Sequence, residues 1–199
     1  MSIHQRASGL EVGPATPPER EWAARLMASS APWTILGRGL EQCRAILNDR
    51  DNLVFTARDR GRPCGFMILD RAGLASSPYV RSIAVSEEAR SRGVGTRLMR
   101  FAEEHFRTRA RHIFLCVSSF NVRARALYER LGYDLIGELP DHWMDGASEF
   151  LLHKRLAGPA RAGSAPSARP AGRRARRRRP RPTADSGPGR APAGRRGRR

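Results

Sequence analysis

Lysine is almost missing from this 199-residue chain: Lys154 stands alone, so arginine carries nearly all of the positive charge. Cysteine is scarce as well. Cys43, Cys64 and Cys116 are odd in number and form no C-x-x-C pair, which excludes a disulfide framework and a zinc knuckle. No apolar run approaches the roughly 20 residues that cross a bilayer, and the first residues lack the apolar stretch of a secretory signal. The expectation is a cytoplasmic protein with no membrane contact and no metal. Aromatic residues make up only 7% of the chain, and none lies in 157–199. That last segment is Arg, Ala, Gly, Pro and Ser with almost no apolar bulk, so it cannot bury a core and should be disordered.

Charge divides the chain at the same place. Of the formal +18, residues 157–199 hold +13, from 14 arginines against Asp185. Residues 1–156 keep +5, an ordinary value for one enzyme-sized domain. The run Arg173–Arg179 could contact nucleic acid or another polyanion weakly and without base recognition, because no aromatic is interleaved for stacking. Its other reading is compositional bias, since arginine replaces lysine throughout.

What is present is concentrated between Val80 and Gly132. A strand ends in Arg90-Ser91-Arg92-Gly93-Val94-Gly95, and a helical run follows from Thr96 to Arg107. Val94, Leu98, Phe101, Ala102 and His105 recur on one face, as for a helix lying on a sheet. Two glycines at a helix start let main-chain N–H groups approach an anion, and the helix dipole favours it there. Arg90, Arg92 and Arg97 add positive charge. A dinucleotide loop would need a third glycine where Leu98 stands, and a nucleotide P-loop would need G-K-[ST]. R-x-x-G-x-G remains. It is followed by the apolar strand Ile113–Val117 and then by Asn121-Val122-Arg123-Ala124-Arg125-Ala126-Leu127-Tyr128, ending in Gly132-Tyr133.

With both motifs in order, the chain resembles the GCN5-related N-acetyltransferase family, over roughly residues 8–156. The resemblance implies an α/β (α+β) fold: a mixed, twisted sheet of about seven strands with flanking helices, in the order β-α-α-β-β-β-α-β-α-β-β. Acetyl-CoA would lie where two neighbouring strands, here Tyr79–Val85 and Ile113–Val117, part from each other. By the same resemblance the backbone of Ile83, Ala84 and Val85 pairs with the pantetheine and acyl carbonyl. Main-chain N–H groups of Arg90, Ser91, Arg92, Gly93, Val94, Gly95 and Thr96 take the pyrophosphate. Asn121 hydrogen-bonds the pantetheine arm, Ala124 is a further cofactor-binding position, and Tyr128 stands at the sulfur as general acid.

Each of these residues also has a plainer reading. Tyr128 shares a helical face with Ala124, Leu127 and Leu131 and could be a core aromatic. Asn121 could be only a helix cap, and the glycines only a turn. The general base is open. In the family branch that acetylates ribosomal-protein N-termini, a glutamate is expected where this chain has Cys116, and an arginine where it has Ser118. Glu138, Asp141 and His142 are alternatives, as is a water chain.

Elsewhere, Thr16 and Pro17 open a helix that ends before Pro32. A second helix spans Leu40–Leu47. Strands near Asn52–Arg58 and Cys64–Asp70 flank a turn at Gly61, and Gly73 to Pro78 and Pro140 to Gly146 are loops. Trp33, Trp143, Asp141 and Asp145 lie in stretches expected to hold the amine acceptor. The leading function is acetyl transfer from acetyl-CoA to a primary amine of a small molecule, peptide or protein. The alternatives are an inactive acyl-CoA-binding module and a tail-driven polyanion binder.

Overall fold

The computed structural model describes residues 9–158. The disorder and polyanion contacts expected of 157–199 therefore fall outside the described residues, except for the first two positions.

Seven strands form one mixed sheet in the order β1-β2-β3-β4-β5-β7-β6. The strands are β1 (Leu10–Pro14), β2 (Leu53–Asp59), β3 (Arg62–Leu74), β4 (Ser77–Val85), β5 (His112–Ser118), β6 (Asp134–Met144) and β7 (Ala147–Arg155). Four helices flank it: α1 (Pro17–Ala28), α2 (Leu40–Asn48), α3 (Val94–Phe106) and α4 (Val122–Arg130). All neighbouring strands are antiparallel except β4 and β5.

Side-chain alternation along the central strands builds a core on each face. Phe55, Ala57, Met67 and Leu69 pack with α3 and Tyr128, whereas Val54, Phe66 and Ile68 pack with α1, α2 and Trp33. In α3, Val94, Leu98, Met99, Ala102 and Phe106 are all buried. Each of the larger ones contributes about 1.5–3 kcal/mol through burial. α3 lies unusually close to β3 because Gly65 has no side chain. A Cβ there would stand 2.9 Å from Val94 Cγ1 and 3.0 Å from the Ala84 carbonyl oxygen. We therefore expect Gly65→Ala to destabilise the fold by about 1–3 kcal/mol, seen as a lower urea midpoint with an unchanged slope.

Thr16 and Glu19 form a capping box at the start of α1, where Glu19 Oε2 accepts from the Thr16 N–H at 2.7 Å. Glu19 also pairs with Arg58 of β2 at 2.6 Å, fastening α1 to the sheet. Burial pushes the Glu19 carboxyl up, but the hydrogen bonds from Arg58 and Thr16 more than reverse that, so it sits below the ordinary range. A lowered folded-state pKa stabilises the fold above the unfolded value and loses that contribution as pH falls through the folded one. Glu19→Gln should thus cost about 1–3 kcal/mol at neutral pH, with the gap to wild type narrowing below pH ~4. Parallel denaturation series at pH 7 and pH 3 check this.

Two connections differ from expectation. The stretch Gly73–Pro78 is a tight hairpin rather than a loop: β3 runs to Leu74, β4 starts at Ser77, and Ala75 and Ser76 turn with φ of 48° and 57°. Neither residue type signals a left-handed turn, so the sequence pattern hid it. Likewise, β6 continues through Pro140 to Met144 in place of a loop. Proline is tolerated there because β6 is the sheet edge, and the register shifts between Leu139 and Met144.

Candidate active site

The parallel pair β4–β5 is short. Tyr79 faces Phe114 and Val80 faces Leu115, and the pairing stops there. β4 continues to Val85 against β3 alone, while β5 continues to Ser118 against β7. A bulge marks the parting: Ile68 pairs with Ser82 and Leu69 with Val80, leaving Arg81 as the extra residue. Main-chain groups of Ile83, Ala84 and Val85 on the β5 side of β4 thus border an open wedge.

At the outer end of the wedge lies the α3 N-terminus. Its cap, Gly93, has φ of 82°, a left-handed conformation that glycine adopts without strain, and Ser91 is left-handed at 61°. The first intrahelical bond is donated by the Arg97 N–H to Gly93 O at 2.9 Å. The N–H groups of Val94, Gly95 and Thr96 precede it and have no acceptor in the helix. Gly95 also lets α4 close in, since a Cβ there would meet Leu127 Cδ2 at 3.1 Å. These features suit a diphosphate.

The charge around this end is arranged differently from the expected trio of arginines. Arg92 turns back to Asp59 at 2.6 Å, and Arg90 lies 3.9 Å from Glu87. Arg123 of α4 instead reaches the loop, donating from Nη2 to Ser91 Oγ at 3.3 Å. Arg97 is exposed on the first turn of α3.

The inner end of the wedge opens into a cavity of about 180 Å3. Asn121 lines it and caps α4, its Oδ1 accepting from the Ala124 N–H at 3.3 Å. Capping and cavity contact therefore coexist. Tyr128 reaches it from α4, 4% exposed, with its ring 6.0 Å from that of Tyr133. Burial alone pushes the Tyr128 phenol well above its ordinary value, so it holds its proton at neutral pH.

On the opposite sheet face the cavity is lined by Tyr79, Cys116, Ser118 and Glu149. Register explains the grouping: Ser118 of β5 pairs directly with Glu149 of β7, and Cys116 lies two residues back on the same face. The Ser118 hydroxyl donates to Glu149 Oε1. Burial pushes the Glu149 carboxyl up, with Ser118 and then His142 opposing. Burial and the neighbouring Cys116 thiol push Tyr79 up, and burial raises Cys116. Cys116 is thus a protonated thiol, not a carboxylate substitute.

Glu149 escaped the sequence because a glutamate in an alternating strand reads as solvent-facing; only the β5–β7 register shows its partner. Of the residues expected on the acceptor side, Trp33 and Trp143 line the cavity, as does the candidate base His142. Trp143 lies under the Arg38 guanidinium at 5.5 Å, joining the α1–α2 segment to the β6–β7 hairpin across the mouth. Asp141 instead accepts from the Gly146 N–H at 2.7 Å and shapes the hairpin turn. Asp141, Asp145 and Glu138 do not line the cavity. Among the described residues no group of three His, Cys, Asp or Glu is placed to hold a metal, and no helix is long and apolar enough to cross a membrane.

Comparison with known proteins bears on the fold and the family. Similar solved structures include the ribosomal-protein alanine N-acetyltransferase of Escherichia coli, with TM-score 0.64 and 16% identity over 78% of this chain and 99% of that one. Arabidopsis thaliana NAA60 in complex with acetyl-CoA has TM-score 0.62 and 17% identity over 75% and 99%. These likenesses concern the fold. In sequence, the chain is 31% identical over 106 residues to an uncharacterized N-acetyltransferase of Methanocaldococcus jannaschii, covering 52% of this chain and 67% of the relative. It is 33% identical over 85 residues to an N-alpha-acetyltransferase of Saccharolobus solfataricus, covering 42% and 51%. The chain thus spans about half to two thirds of the length of these relatives. Residues 19–133, more than half of the chain, match the profile described as the acetyltransferase (GNAT) family, and it is to that family that this protein belongs.

Proposed function

We propose that this protein transfers the acetyl group of acetyl-CoA directly to a primary amine of a small molecule, peptide or protein. The observation that carries this reading is the wedge itself. Unpaired strand edge, helix N-terminus and cavity follow one another, so a diphosphate held at Gly93–Thr96 would lead its thioester toward Tyr128.

The residues divide the work by sheet face. On the α3–α4 side, Ile83, Ala84 and Val85 present main-chain donors and acceptors to the pantetheine and acyl carbonyl. Asn121 and Ala124 border its arm, and Arg90, Ser91, Arg92 and Val94 complete the phosphate loop. Holding both reactants in a fixed geometry replaces a bimolecular encounter and supplies much of the acceleration. Tyr128 donates a proton to the departing sulfur. On the α1–α2 side, exposed Trp143 borders the entrance through which the amine arrives, and buried Trp33 lines the cavity behind it. The name of the Saccharolobus solfataricus relative favours α-amines, which at pKa ~8 lose their proton far more readily than lysine-like amines at ~10.4.

Thiol release from acetyl-CoA, followed with alanyl-peptide amide, spermidine and an aminoglycoside, tests the reading. Amine-dependent release with a mass gain of one acetyl group on the acceptor is expected. Tight coenzyme A binding without turnover of any amine would favour a binding module instead.

A further inference from the structure

We propose that Glu149 is the base that takes the proton from the incoming amine, with the Ser118 hydroxyl as its positioning partner; the proposal rests on the acetyl-transfer reading above. β5 itself carries no carboxylate: Cys116 stands where one branch of the family would place a glutamate, and two residues on, β5 presents Ser118 to Glu149 of β7. Glu149 is 6% exposed and lines the cavity, as does Ser118 at 6%. No arginine or lysine forms an ion pair with it among the described residues. A buried carboxylate left without a cation is costly unless it serves a proton or a ligand. Its single hydrogen bond from Ser118 fixes one oxygen and leaves the other for an amine entering past Trp143.

The surroundings favour proton transfer over simple charge attraction. Tyr79 and Arg81 from β4, Cys116 from β5, His142 from β6, Arg38 from the α1–α2 segment and Tyr128 from α4 share the cavity. Arg81 is paired with Asp70 at 3.9 Å and Arg38 lies over the Trp143 ring, so neither neutralises Glu149, which is left to take the proton of an arriving ammonium group. Burial raises Glu149 toward the amine in proton affinity, which makes it a better acceptor than an exposed carboxylate.

Protons balance as follows. The ammonium group gives one proton to Glu149, and the neutral nitrogen forms its bond to the acyl carbon. The carbon–sulfur bond breaks, and sulfur takes the Tyr128 proton. Nitrogen then loses its second proton, which restores Tyr128, and Glu149 passes its own to solvent at the cavity mouth. One proton is released per turnover.

The test is the pH dependence of kcat with the best amine of the panel. Wild type should show a limb in which activity rises as Glu149 deprotonates. Glu149→Gln should lower kcat by about 10^2–10^4-fold and remove the limb, while coenzyme A binding persists. Ser118→Ala removes the hydrogen bond that lowers the Glu149 pKa, so its limb should move to higher pH, an effect that mere loss of packing would not produce. His142→Gln should retain the limb. A Glu149→Gln variant with wild-type kcat and only a raised KM would make Glu149 an ammonium-binding group and overturn the proposal. So would a limb lost in His142→Gln and kept in Glu149→Gln. Wild-type protein that binds coenzyme A yet turns over no amine would overturn the acetyl-transfer reading along with this one.

Discussion

Phenylalanine at position 128 should lower kcat by about 10^2–10^4-fold while leaving the affinity for coenzyme A within about threefold of wild type. The ring stays in place: it is nearly fully buried beside Tyr133, and removing one oxygen opens no sizeable void. On the proposed mechanism, what disappears is the proton for the leaving thiolate. Burial without any charged partner keeps that proton on the Tyr128 oxygen at neutral pH, so it is present when the carbon–sulfur bond breaks. The affected parameter is therefore the chemical step. Steady-state kinetics with calorimetry on the same preparation separates the two quantities. A kcat within about threefold of wild type would return Tyr128 to the role of a core aromatic.

A valine at Gly93 should have the complementary effect, raising the Kd for coenzyme A by on the order of 10^2–10^4-fold. Gly93 caps α3 in the left-handed region, and a β-branched residue there is strained by about 1–3 kcal/mol. The chain relieves the strain by rotating out of that region, which turns the N–H groups of the first turn away from the wedge. Each hydrogen bond to a charged group is worth about 1.5–3 kcal/mol, so losing two accounts for the range. α3 itself should persist, because Val94, Leu98, Met99, Ala102 and Phe106 remain buried. Calorimetric titration with coenzyme A, alongside circular dichroism, checks both halves. Unchanged affinity in a folded Gly93→Val protein would place the diphosphate elsewhere.

Legibility in the sequence followed the range of the interactions. Element order, the α3 loop and the α4 motif are written in local patterns: apolar spacing, a glycine pair, a cap at Asn121, a glycine at 132 with φ of 81° closing α4. The two-residue turn at Arg60-Gly61 was readable because Gly61 takes a φ of 77° that most residues avoid. The hairpin at Ala75-Ser76 was not, because those residues adopt the same conformation without advertising it. Site features that depend on pairing between distant strands stayed hidden for a related reason. The Arg81 bulge, the early end of the β4–β5 ladder and the contact of Ser118 with Glu149 are matters of register. Charge partners were the least legible. Arg92 looked free beside two glycines until the end of β2 brought Asp59 to it, and Arg123 had no visible tie to a loop 32 residues earlier.

The most direct measurement is a crystal structure of the protein with coenzyme A bound. The diphosphate should lie against the N–H groups of Gly93 to Thr96, with the pantetheine between β4 and β5 and the sulfur beside Tyr128. Electron density for the coenzyme outside the gap between Val85 and Cys116, with that gap empty, would contradict it.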